Sequence, residues 1–444
     1  MANLLNRIFG DFALVFNRRE EYAHNRQYIL WFNIFANSAV MFFGGNYFTG
    51  LLLRMGADDN IMGLVTIITY AANLAAVFAP LLLERFDRRK TLLIASRCGY
   101  YALQIVFISL LPYLPMANSA KLALVLAAIA AANLIASLTG SGLTVWHLQS
   151  IPPNIRGSFF TNINMIIGIL NMIMLNLAGL LADWFKGMGQ ELLGITILRA
   201  IALLLACGDL YSMSRLREYP YPKAPAAPNL LSIFTNPLRI KPYRAVMSVI
   251  FLWTLTATLP GPFYSVYLLK DLGVSYSFLS AVNLLNIPVL LVALPIWSRV
   301  IRARGDIRLF PWLAALASLH FVALAVIDGH NYTWLYPVAV LYWFITSAGI
   351  TQVASLIPYK FIPEANQSNY LSFYNTVNMV AAMLGTILGQ QLILRTGQLS
   401  THVLGIPFGN KQLLVLVTGA AILVAAVVMA FIHRWLKRNY SSES

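Results

Sequence analysis

Long apolar stretches recur along almost the whole chain, and they constrain its fold more than any other feature. A helix of about 20 mostly apolar residues spans a bilayer core of about 30 Å. Hydrophobic residues make up 59% of the chain and charged residues only 11%. The mean hydropathy is +0.69, and such a composition cannot cover the surfaces of soluble domains. The sequence therefore predicts an all-α integral membrane protein.

Turn and charge signals divide the apolar sequence into twelve predicted transmembrane helices. They lie near residues 28–54, 60–83, 91–113, 120–147, 157–182, 192–213, 244–269, 276–298, 308–327, 333–357, 369–393 and 412–433. The polar connection over 214–243 is the longest and is rich in proline and basic residues. We therefore expect six-helix bundles over 28–213 and 244–433, joined by a cytoplasmic linker over 214–243. Residues 1–27 are predicted to carry a short interfacial helix, and 434–444 form a tail.

The basic residues are unevenly distributed along the chain. There are 31 Lys+Arg and 16 Asp+Glu, a formal net charge of +15. If the N-terminus is cytoplasmic, 24 of the 31 fall in segments on that side. This positive-inside bias predicts that both termini are cytoplasmic, in a plasma or inner membrane. We expect no nucleic-acid partner, because the basic residues lie in short loops without a binding module.

Internal similarity supports a division into two halves. Three offsets of 211 to 217 residues align segments of the first half with the second in the same order. They pair Gly44 with Gly261, Tyr47 with Tyr264, Pro80 with Pro295, Ile151 with Ile362, Pro152 with Pro363 and Asn164 with Asn375. These offsets predict two pseudo-symmetric, parallel repeats.

The loop between the second and third predicted helices carries a recognisable motif. It reads Pro80-Leu-Leu-Leu-Glu84-Arg85-Phe86-Asp87-Arg88-Arg89. This resembles the Gly-x-x-x-Asp-Arg-x-Gly-Arg-Arg pattern of the major facilitator superfamily of secondary transporters, with Pro80, Glu84 and Asp87 as departures. The resemblance implies two six-helix bundles that alternate access to a central site. It implies a cytoplasmic gate, for which the candidates are Glu84, Arg85, Arg88, Arg89 and Arg156. The alternative is that these charges only set topology.

In that family, helices one, four, seven and ten line the central cavity, supported by helices that include five and eleven. Polar residues on single faces of these helices are the candidates for contact with a solute, because an unpaired amide in hydrocarbon costs several kcal/mol. The candidates are Asn33, Asn37, Asn133, Ser137, Ser141, Asn164, Asn171, Trp253, Thr254, Tyr264, Trp343, Thr351, Asn375 and Asn378. Packing between helices is the alternative for each. Aromatic rings with amides suit a neutral polar solute such as a sugar or nucleoside.

Few titratable groups are expected at the membrane centre. All the acidic residues fit in loops, tails or helix ends, with Asp209 closest to an exception. No carboxylate therefore stands out as a proton carrier, and either a proton or sodium remains a possible coupling ion. His147 and His320 titrate near neutrality in water, with ordinary packing as the alternative. We interpret Arg97 and Arg199 as side chains that reach back to the membrane interface.

Motifs for other chemistry are missing from the sequence. It holds no GKS or GKT phosphate loop, no HExxH and no serine nucleophile elbow, and its two cysteines lie in apolar segments. We therefore expect no enzyme activity, cofactor or metal site, but a monomeric carrier of a small molecule. Two alternatives stay open. One is an exporter of amphipathic compounds or lipid, and the other is a solute receptor built on a carrier fold without transport.

Overall fold

The protein is almost entirely helical in a computed structural model, which describes residues 23–86, 88–152, 156–218, 230–357, 367–397, 399–403 and 406–440. The predicted interfacial helix and Asp87 lie outside these residues. Contacts divide the chain into two compact units. The first unit contains residues 1–56, 75–228 and 275–280, and the second contains 57–74, 229–274 and 281–444.

The helices follow one another with short connections. In chain order they are α1 (Ala23–Phe43), α2 (Gly45–Arg54), α3 (Asp59–Asn73), α4 (Ala79–Leu83), α5 (Lys90–Tyr101), α6 (Ile108–Leu110), α7 (Asn118–Gln149), α8 (Arg156–Gly187), α9 (Glu191–Arg215), α10 (Leu230–Arg239), α11 (Lys241–Ala257), α12 (Phe263–Val266), α13 (Tyr276–Asn283), α14 (Asn286–Arg304), α15 (Asp306–Ala325), α16 (Tyr332–Leu356), α17 (Gln367–Arg395) and α18 (Asn410–Asn439). Helical turns that are tighter or wider than those of an α-helix occupy Leu74–Phe78, Ala102–Phe107, Leu111–Tyr113 and Tyr267–Asp271. Strands β1 (Ser400–Val403) and β2 (Ile406–Gly409) form an antiparallel hairpin.

Ten helical stretches in the described chain are long and apolar enough to cross a membrane, and the first of them contains the break after Phe43. The pair Tyr276–Val289 and Val292–Ala303, bent by 48°, makes up to eleven. The predicted span over 244–269 is not a continuous helix, so twelve unbroken spans are not confirmed. Its helix ends at Ala257 and resumes at Phe263, because Pro260 and Pro262 cannot donate backbone hydrogen bonds.

The first unit is built around α1, which packs against α8 and α9. Apolar side chains from α1, α4, α5, α7, α8 and α9 form its largest described cluster. They include Ile29, Phe32, Leu83, Leu93, Trp146, Ile163 and Met213. At Gly208 on α9, an added Cβ would lie 3.0 Å from the ring of Phe35 on α1. A small residue there lets the two helices approach closely, as is common between helices in membranes.

The second unit holds two close helix pairs. Helix α15 packs along α18, where a Cβ at Gly419 would lie 3.1 Å from the Ser318 carbonyl oxygen. Helix α11 packs on α17, where a Cβ at Gly385 or Gly389 would overlap a carbonyl of α11 or of the turn that follows it. These glycines allow the backbones to approach, which is the packing that lipid-embedded helices favour.

The two repeats share helix breaks at matching positions. The chain has a positive φ of 55° at Gly45, beside Gly44, and of 44° at Gly261. It again has a positive φ at Gly56 and at Gly273, of 84° and 65°. Glycine adopts this conformation without the steric cost that other residues bear. Gly56 and Gly273 are 217 residues apart, as the offset found in the sequence requires, and Gly45 and Gly261 deviate from that offset by one residue.

Two connections differ from the expected loops. Helix α10 forms inside the predicted linker over 214–243, with Ile233 buried and Phe234 6.4 Å from Phe373 between ring centres. The β1–β2 hairpin forms in the connection before α18, with Ser400 opposite Gly409. The apolar side chains of α10 recur at helical spacing and therefore form one face of this short helix. That face packs against the rest of the second unit, which explains why a helix forms here.

Candidate substrate cavity

The break between α11 and α12 shapes a cavity in the second unit. Backbone hydrogen bonds close the turn, from Gly261 N to the Thr258 oxygen at 3.1 Å and from Phe263 N to the Pro260 oxygen at 3.0 Å. The cavity beside this turn measures about 480 Å³. Its lining comes from α3, α11 and the turn, α15 and α16, and consists of Thr66, Tyr70, Ala257, Thr258, Pro260, Gly261, Pro262, His320, Phe321 and Trp343.

The described lining of this cavity is largely apolar with a few polar groups, and it carries no formal charge. It contains hydroxyl groups, aromatic rings and one histidine, and none of its described residues is Asp, Glu, Lys or Arg. The Tyr70 hydroxyl has no hydrogen-bond partner among the residues that the structure describes, whereas the Thr66 and Thr258 hydroxyls donate to carbonyls of their own helices. Tyr70 can therefore donate to a molecule in the cavity.

His320 has a defined orientation at the cavity wall. Its Nδ1 lies 2.9 Å from the Ala339 carbonyl oxygen. Because a carbonyl oxygen only accepts, this contact places the proton of the neutral ring on Nδ1 and leaves Nε2 as an acceptor. The sequence suggested packing for His320, since the family places its helix at the periphery. Its place in the cavity lining was missed by that reasoning.

Aromatic rings surround His320. Trp343, a predicted cavity residue, lies 4.9 Å from the His320 ring with 31° between the planes. Phe321 lies 5.7 Å from the Trp343 ring in an edge-on arrangement. Such rings offer flat apolar faces to a ligand while their edges fix its orientation.

Other predicted residues of the second unit support the cavity rather than line it. The Thr254 hydroxyl donates to the Asn378 side-chain oxygen at 2.8 Å, so the structure brings these two candidates together. Trp253 packs edge-on against Phe310 at 5.9 Å. The Tyr264 hydroxyl lies 3.4 Å from the Leu324 carbonyl oxygen.

The amide candidates on α1 and α7 in the first unit bond to their own helices. The side-chain nitrogens of Asn33, Asn37 and Asn133 donate to the carbonyls of Ile29, Asn33 and Ile129, at 2.8 to 2.9 Å. Ser137 likewise donates to the Leu134 carbonyl, and Ser141 is exposed. This stripe on α7 faces away from the helices that pack against Thr139, Gly142 and Trp146. It stays a predicted cavity surface.

Four further candidates are divided between the two units. Asn164, Thr351 and Asn375 are exposed, and Asn171 is half-buried. The Asn171 side-chain oxygen is buried without a hydrogen-bond partner among the described residues. Asn164 belongs to the first unit and its repeat partner Asn375 to the second.

The predicted cytoplasmic gate has few side-chain contacts. Arg85 and Arg88 are exposed and Glu84 is half-buried, and within the described chain Glu84 forms no ion pair. Arg89 is buried, and its backbone nitrogen donates to Glu218. The Arg156 Nε donates to the Ile151 carbonyl oxygen at 2.8 Å. Glu218 also accepts from the Lys90 backbone nitrogen at 3.0 Å, so it caps the start of α5.

A buried ion pair lies inside the first unit. The Arg97 Nε donates to the Asp209 Oδ2 at 2.9 Å, and the Tyr101 hydroxyl donates to the same oxygen at 2.6 Å. Asp209 is fully buried. The Arg97 guanidinium lies 4.8 Å from the Tyr101 ring centre and 5.6 Å from that of Phe32. The interpretation of Arg97 as an interfacial side chain is therefore wrong, because its charge is paired within the bundle.

Arg199 is also buried rather than at the interface. Its Nη1 donates to the Phe43 carbonyl oxygen at 3.1 Å and its Nε to the Ser109 hydroxyl at 2.6 Å. Its Nη2 donates to the Gln104 carbonyl. Phe43 ends α1, and Gln104 belongs to the π-helical segment after α5. The expected snorkelling is again wrong, since Arg199 donates to carbonyls at two helix irregularities inside the first unit.

Polar contacts at the other helix ends were not predicted from sequence. In the first unit, the Tyr276 hydroxyl and the Arg54 Nε donate to the Glu191 carboxylate at 2.8 and 2.7 Å. In the second, the Lys411 Nζ lies 2.8 Å from the Asp271 carboxylate and 3.5 Å from that of Asp59. Each set joins helices from both predicted bundles, at loops predicted to be extracellular. The charged residues were visible in the sequence, but their pairing over 137 and 140 residues was not.

The His147 Nε2 is buried without a hydrogen-bond partner among the described residues, so hydrogen-bonded packing is not confirmed for this ring. His147 is buried on α7, and its ring lies 4.5 Å from that of Phe32 in an edge-on arrangement.

Comparison with known proteins gives a family and several structural relatives. The family description "Major Facilitator Superfamily" matches residues 29–386. A mutant of the nucleoside transporter NupG is 14% identical, covers 91% of this chain and 98% of its own, and has a TM-score of 0.66. The peptide transporter POT with sulfate is 14% identical, with coverages of 96% and 98% and a TM-score of 0.65. An inward-facing bacterial homologue of the iron transporter ferroportin is 12% identical, with coverages of 92% and 98% and a TM-score of 0.68. A comparison with curated proteins finds no match.

Proposed function

Because the chain belongs to the Major Facilitator Superfamily, we propose that this transporter carries a small, neutral, polar solute of sugar or nucleoside type. Family and fold indicate a multi-pass membrane transporter rather than an enzyme. The solved relatives include carriers of nucleosides, of peptides and of iron, so the fold is compatible with several substrate classes. The choice among them rests on the chemistry of the cavity.

The cavity of the second unit is the observation that carries this proposal. Its volume of about 480 Å³ lies in the range of about 300 to 1,000 Å³ that is usual for small-molecule sites. Its described lining offers hydroxyls, a histidine and aromatic rings without a formal charge. A charged solute would lose hydration there without gaining an opposite charge, which is costly in a site of low polarity. A neutral solute with hydroxyl groups avoids this cost.

Each wall of the cavity supplies one kind of contact. Trp343 and Phe321 offer ring faces to a base or to the apolar face of a sugar. The unprotonated Nε2 of His320 accepts a hydrogen bond from a solute hydroxyl, and the Tyr70 hydroxyl donates one. A site built to bond a hydroxyl rejects analogues without it, because its own polar groups would be left unpaired.

The carrier is proposed to work by alternating access, with both termini in the cytoplasm of a cell whose plasma or inner membrane it spans. The predicted gate residues on the cytoplasmic side are Glu84, Arg85, Arg88, Arg89 and Arg156. On the opposite side we assign the gate to the contacts of Glu191 with Tyr276 and of Lys411 with Asp271. The candidates in the first unit, which include Asn133 and Asn164, stay predicted sites of solute contact. A monomer is proposed, and the coupling ion is a proton or sodium.

Ligand-dependent thermal stability of the purified protein tests the proposal. The panel contains nucleosides, neutral sugars, dipeptides, lipophilic cations and divalent metals. We expect neutral solutes to raise the melting temperature of the wild type, and to do so much less for Trp343→Ala and His320→Gln. Trp334→Ala on the same helix is the matched control, because Trp334 is 62% exposed and outside the cavity. Stabilisation by lipophilic cations or metals alone would contradict the proposal.

Flux into proteoliposomes separates transport from binding. A solute that stabilises the protein should also enter vesicles that contain it, and imposed proton and sodium gradients identify the coupling ion. Binding without flux in vesicles would favour the receptor alternative.

A further inference from the structure

Two neighbouring grooves lie on the second unit at the end of α18 that leads to the C-terminus. The first, of about 500 Å³, lies between α15 and α18. Its floor is apolar and includes Trp312, Ala315, Leu423, Ala426, Val427 and Ala430. The second, of about 440 Å³, lies between α14 and α15, and its lining includes Trp297, Val300, Leu313 and Leu316. Arg308 and Trp312 belong to both grooves.

The mouth of the first groove is basic. Arg308, His433, Arg434 and Lys437 line it at the end of α18 nearest the C-terminus. Arg308, Arg434 and Lys437 are exposed, and none of them forms an ion pair within the described chain. At the opposite end of the same helix, Lys411 is paired with Asp271 at 2.8 Å. One end of α18 is thus neutralised by acidic side chains, whereas at the other end Arg308, Arg434 and Lys437 have no acidic partner among the residues that the structure describes.

The dimensions of the first groove match one leaflet of a bilayer. Its lining on α18 runs from Leu423 to Lys437, which is about 21 Å along a helix that rises about 1.5 Å per residue. Half of a hydrocarbon core is about 15 Å, so the remaining length reaches into the headgroup region. The apolar floor lies at the depth of acyl chains, and the cations lie at the depth of lipid phosphates.

Trp312 divides the two grooves as a ridge. Its side chain is 68% exposed, and Leu423 and Val427 beside it are 50% and 53% exposed. Because Arg308 lies at the head of both grooves, a molecule with one anionic head and two apolar chains fits both at once. A second copy of the protein fits less well, since a symmetric interface through this surface would bring like charges together.

We propose that these paired grooves bind one anionic phospholipid. Its phosphate lies among Arg308, Arg434 and Lys437, and its two acyl chains lie on either side of Trp312. Clustered basic residues at a membrane surface attract anionic lipid headgroups, and bidentate guanidinium groups suit phosphate oxygens. The site is distinct from the proposed substrate cavity, because the two share no lining residue.

Native mass spectrometry of the full-length protein tests this proposal by counting bound lipids. Dioleoyl phosphatidylglycerol is the probe, and dioleoyl phosphatidylcholine of the same chain length is the neutral comparison. We expect one tightly bound phosphatidylglycerol on the wild type. Removing a basic residue that contacts the lipid phosphate should weaken lipid binding about fivefold. The double variant Arg308→Gln/Arg434→Gln should therefore bind phosphatidylglycerol about 25-fold more weakly.

Matched variants make the result specific. Arg302→Gln/Arg438→Gln removes the same charge from two exposed residues that do not line the first groove, and it should bind phosphatidylglycerol as the wild type does. Trp312→Ala should weaken both lipids, because it removes the ridge between the chains. An equal loss of phosphatidylglycerol binding in both double variants would overturn the proposal. So would complete displacement of the lipid by inorganic phosphate. The proposal would also be overturned if the protein without lipid were a dimer that phosphatidylglycerol dissociates.

Discussion

The two repeats interrupt their first helix at the same position but fill the interruption differently. In the first unit the break follows Phe43, and the buried Arg199 donates to the Phe43 carbonyl oxygen. In the second unit the break over Thr258 to Pro262 borders a cavity of about 480 Å³. A buried arginine contacts the first break, whereas a cavity lies beside the second. Under the proposed function, a repeated backbone feature holds a buried arginine in one unit and borders the solute site in the other.

The largest expected effect concerns the buried ion pair of the first unit. Asp209→Leu leaves the Arg97 charge without its carboxylate, and breaking a fully buried pair costs about 3 to 5 kcal/mol. The 20% exposure of the Arg97 side chain places the expected cost at the lower end of this range. We expect a large loss of the free energy of unfolding in detergent micelles, measured by denaturant titration. Arg97→Met/Asp209→Leu should recover much of the loss, because no unpaired charge then remains. A single variant as stable as the wild type would show that the pair does not stabilise the first unit.

Arg199→Leu should come next. It leaves the carbonyls of Phe43 and Gln104 without their donors, and hydrogen bonds to charged groups contribute about 1.5 to 3 kcal/mol each. The expected loss is about 3 kcal/mol, reduced by the burial cost of the charge that is removed. Thermal unfolding of the purified protein measures it.

Arg395→Leu is the control for this variant, because Arg395 is exposed at the end of α17. It should melt close to the wild type. Equal melting temperatures of the Arg199 and Arg395 variants would contradict the claim that Arg199 stabilises the break in the first unit.

A smaller effect is expected at Gly389 in the second unit. Gly389→Ala places a Cβ against the Leu259 carbonyl, beside the open break. Overpacking of this kind costs about 1 to 3 kcal/mol, and it should also narrow the cavity. Gly168→Ala on α8 has nothing within 4 Å of the added Cβ and should be neutral or slightly stabilising. A neutral result at Gly389 would mean that α11 and α17 separate readily.

The smallest expected effect is a loss of affinity for the solute in a variant of His320. His320→Gln keeps a polar side chain but changes the position of the acceptor on the cavity wall. We expect the solute to bind about tenfold more weakly, equivalent to about 1.4 kcal/mol, with little change in melting temperature of the free protein. Isothermal titration measures the affinity. Unchanged binding would exclude His320 from direct contact with the solute.

Much of the fold was predictable from the sequence, because apolar length and internal offsets report directly on helices and repeats. The break in the seventh span was not predicted, although Pro260 and Pro262 lie within it. A count of apolar residues does not register which residues lack a backbone N–H group. Arg97 and Arg199 were misinterpreted, since their partners lie 90 to 156 residues away. His320 was passed over because its helix is peripheral in the family. Long-range contacts of this kind leave no local pattern.

Counterflow in proteoliposomes tests the central claim most directly. Vesicles loaded with unlabelled solute are diluted into a trace of the labelled neutral solute that stabilises the purified protein. A carrier with alternating access accumulates label transiently without any ion gradient, so the wild type should show this overshoot. Trp343→Ala should lose it at the same solute concentration, whereas Trp334→Ala should keep it. An equal overshoot in the wild type and Trp343→Ala would contradict the assignment of the cavity, and its absence from the wild type would contradict carriage of that solute.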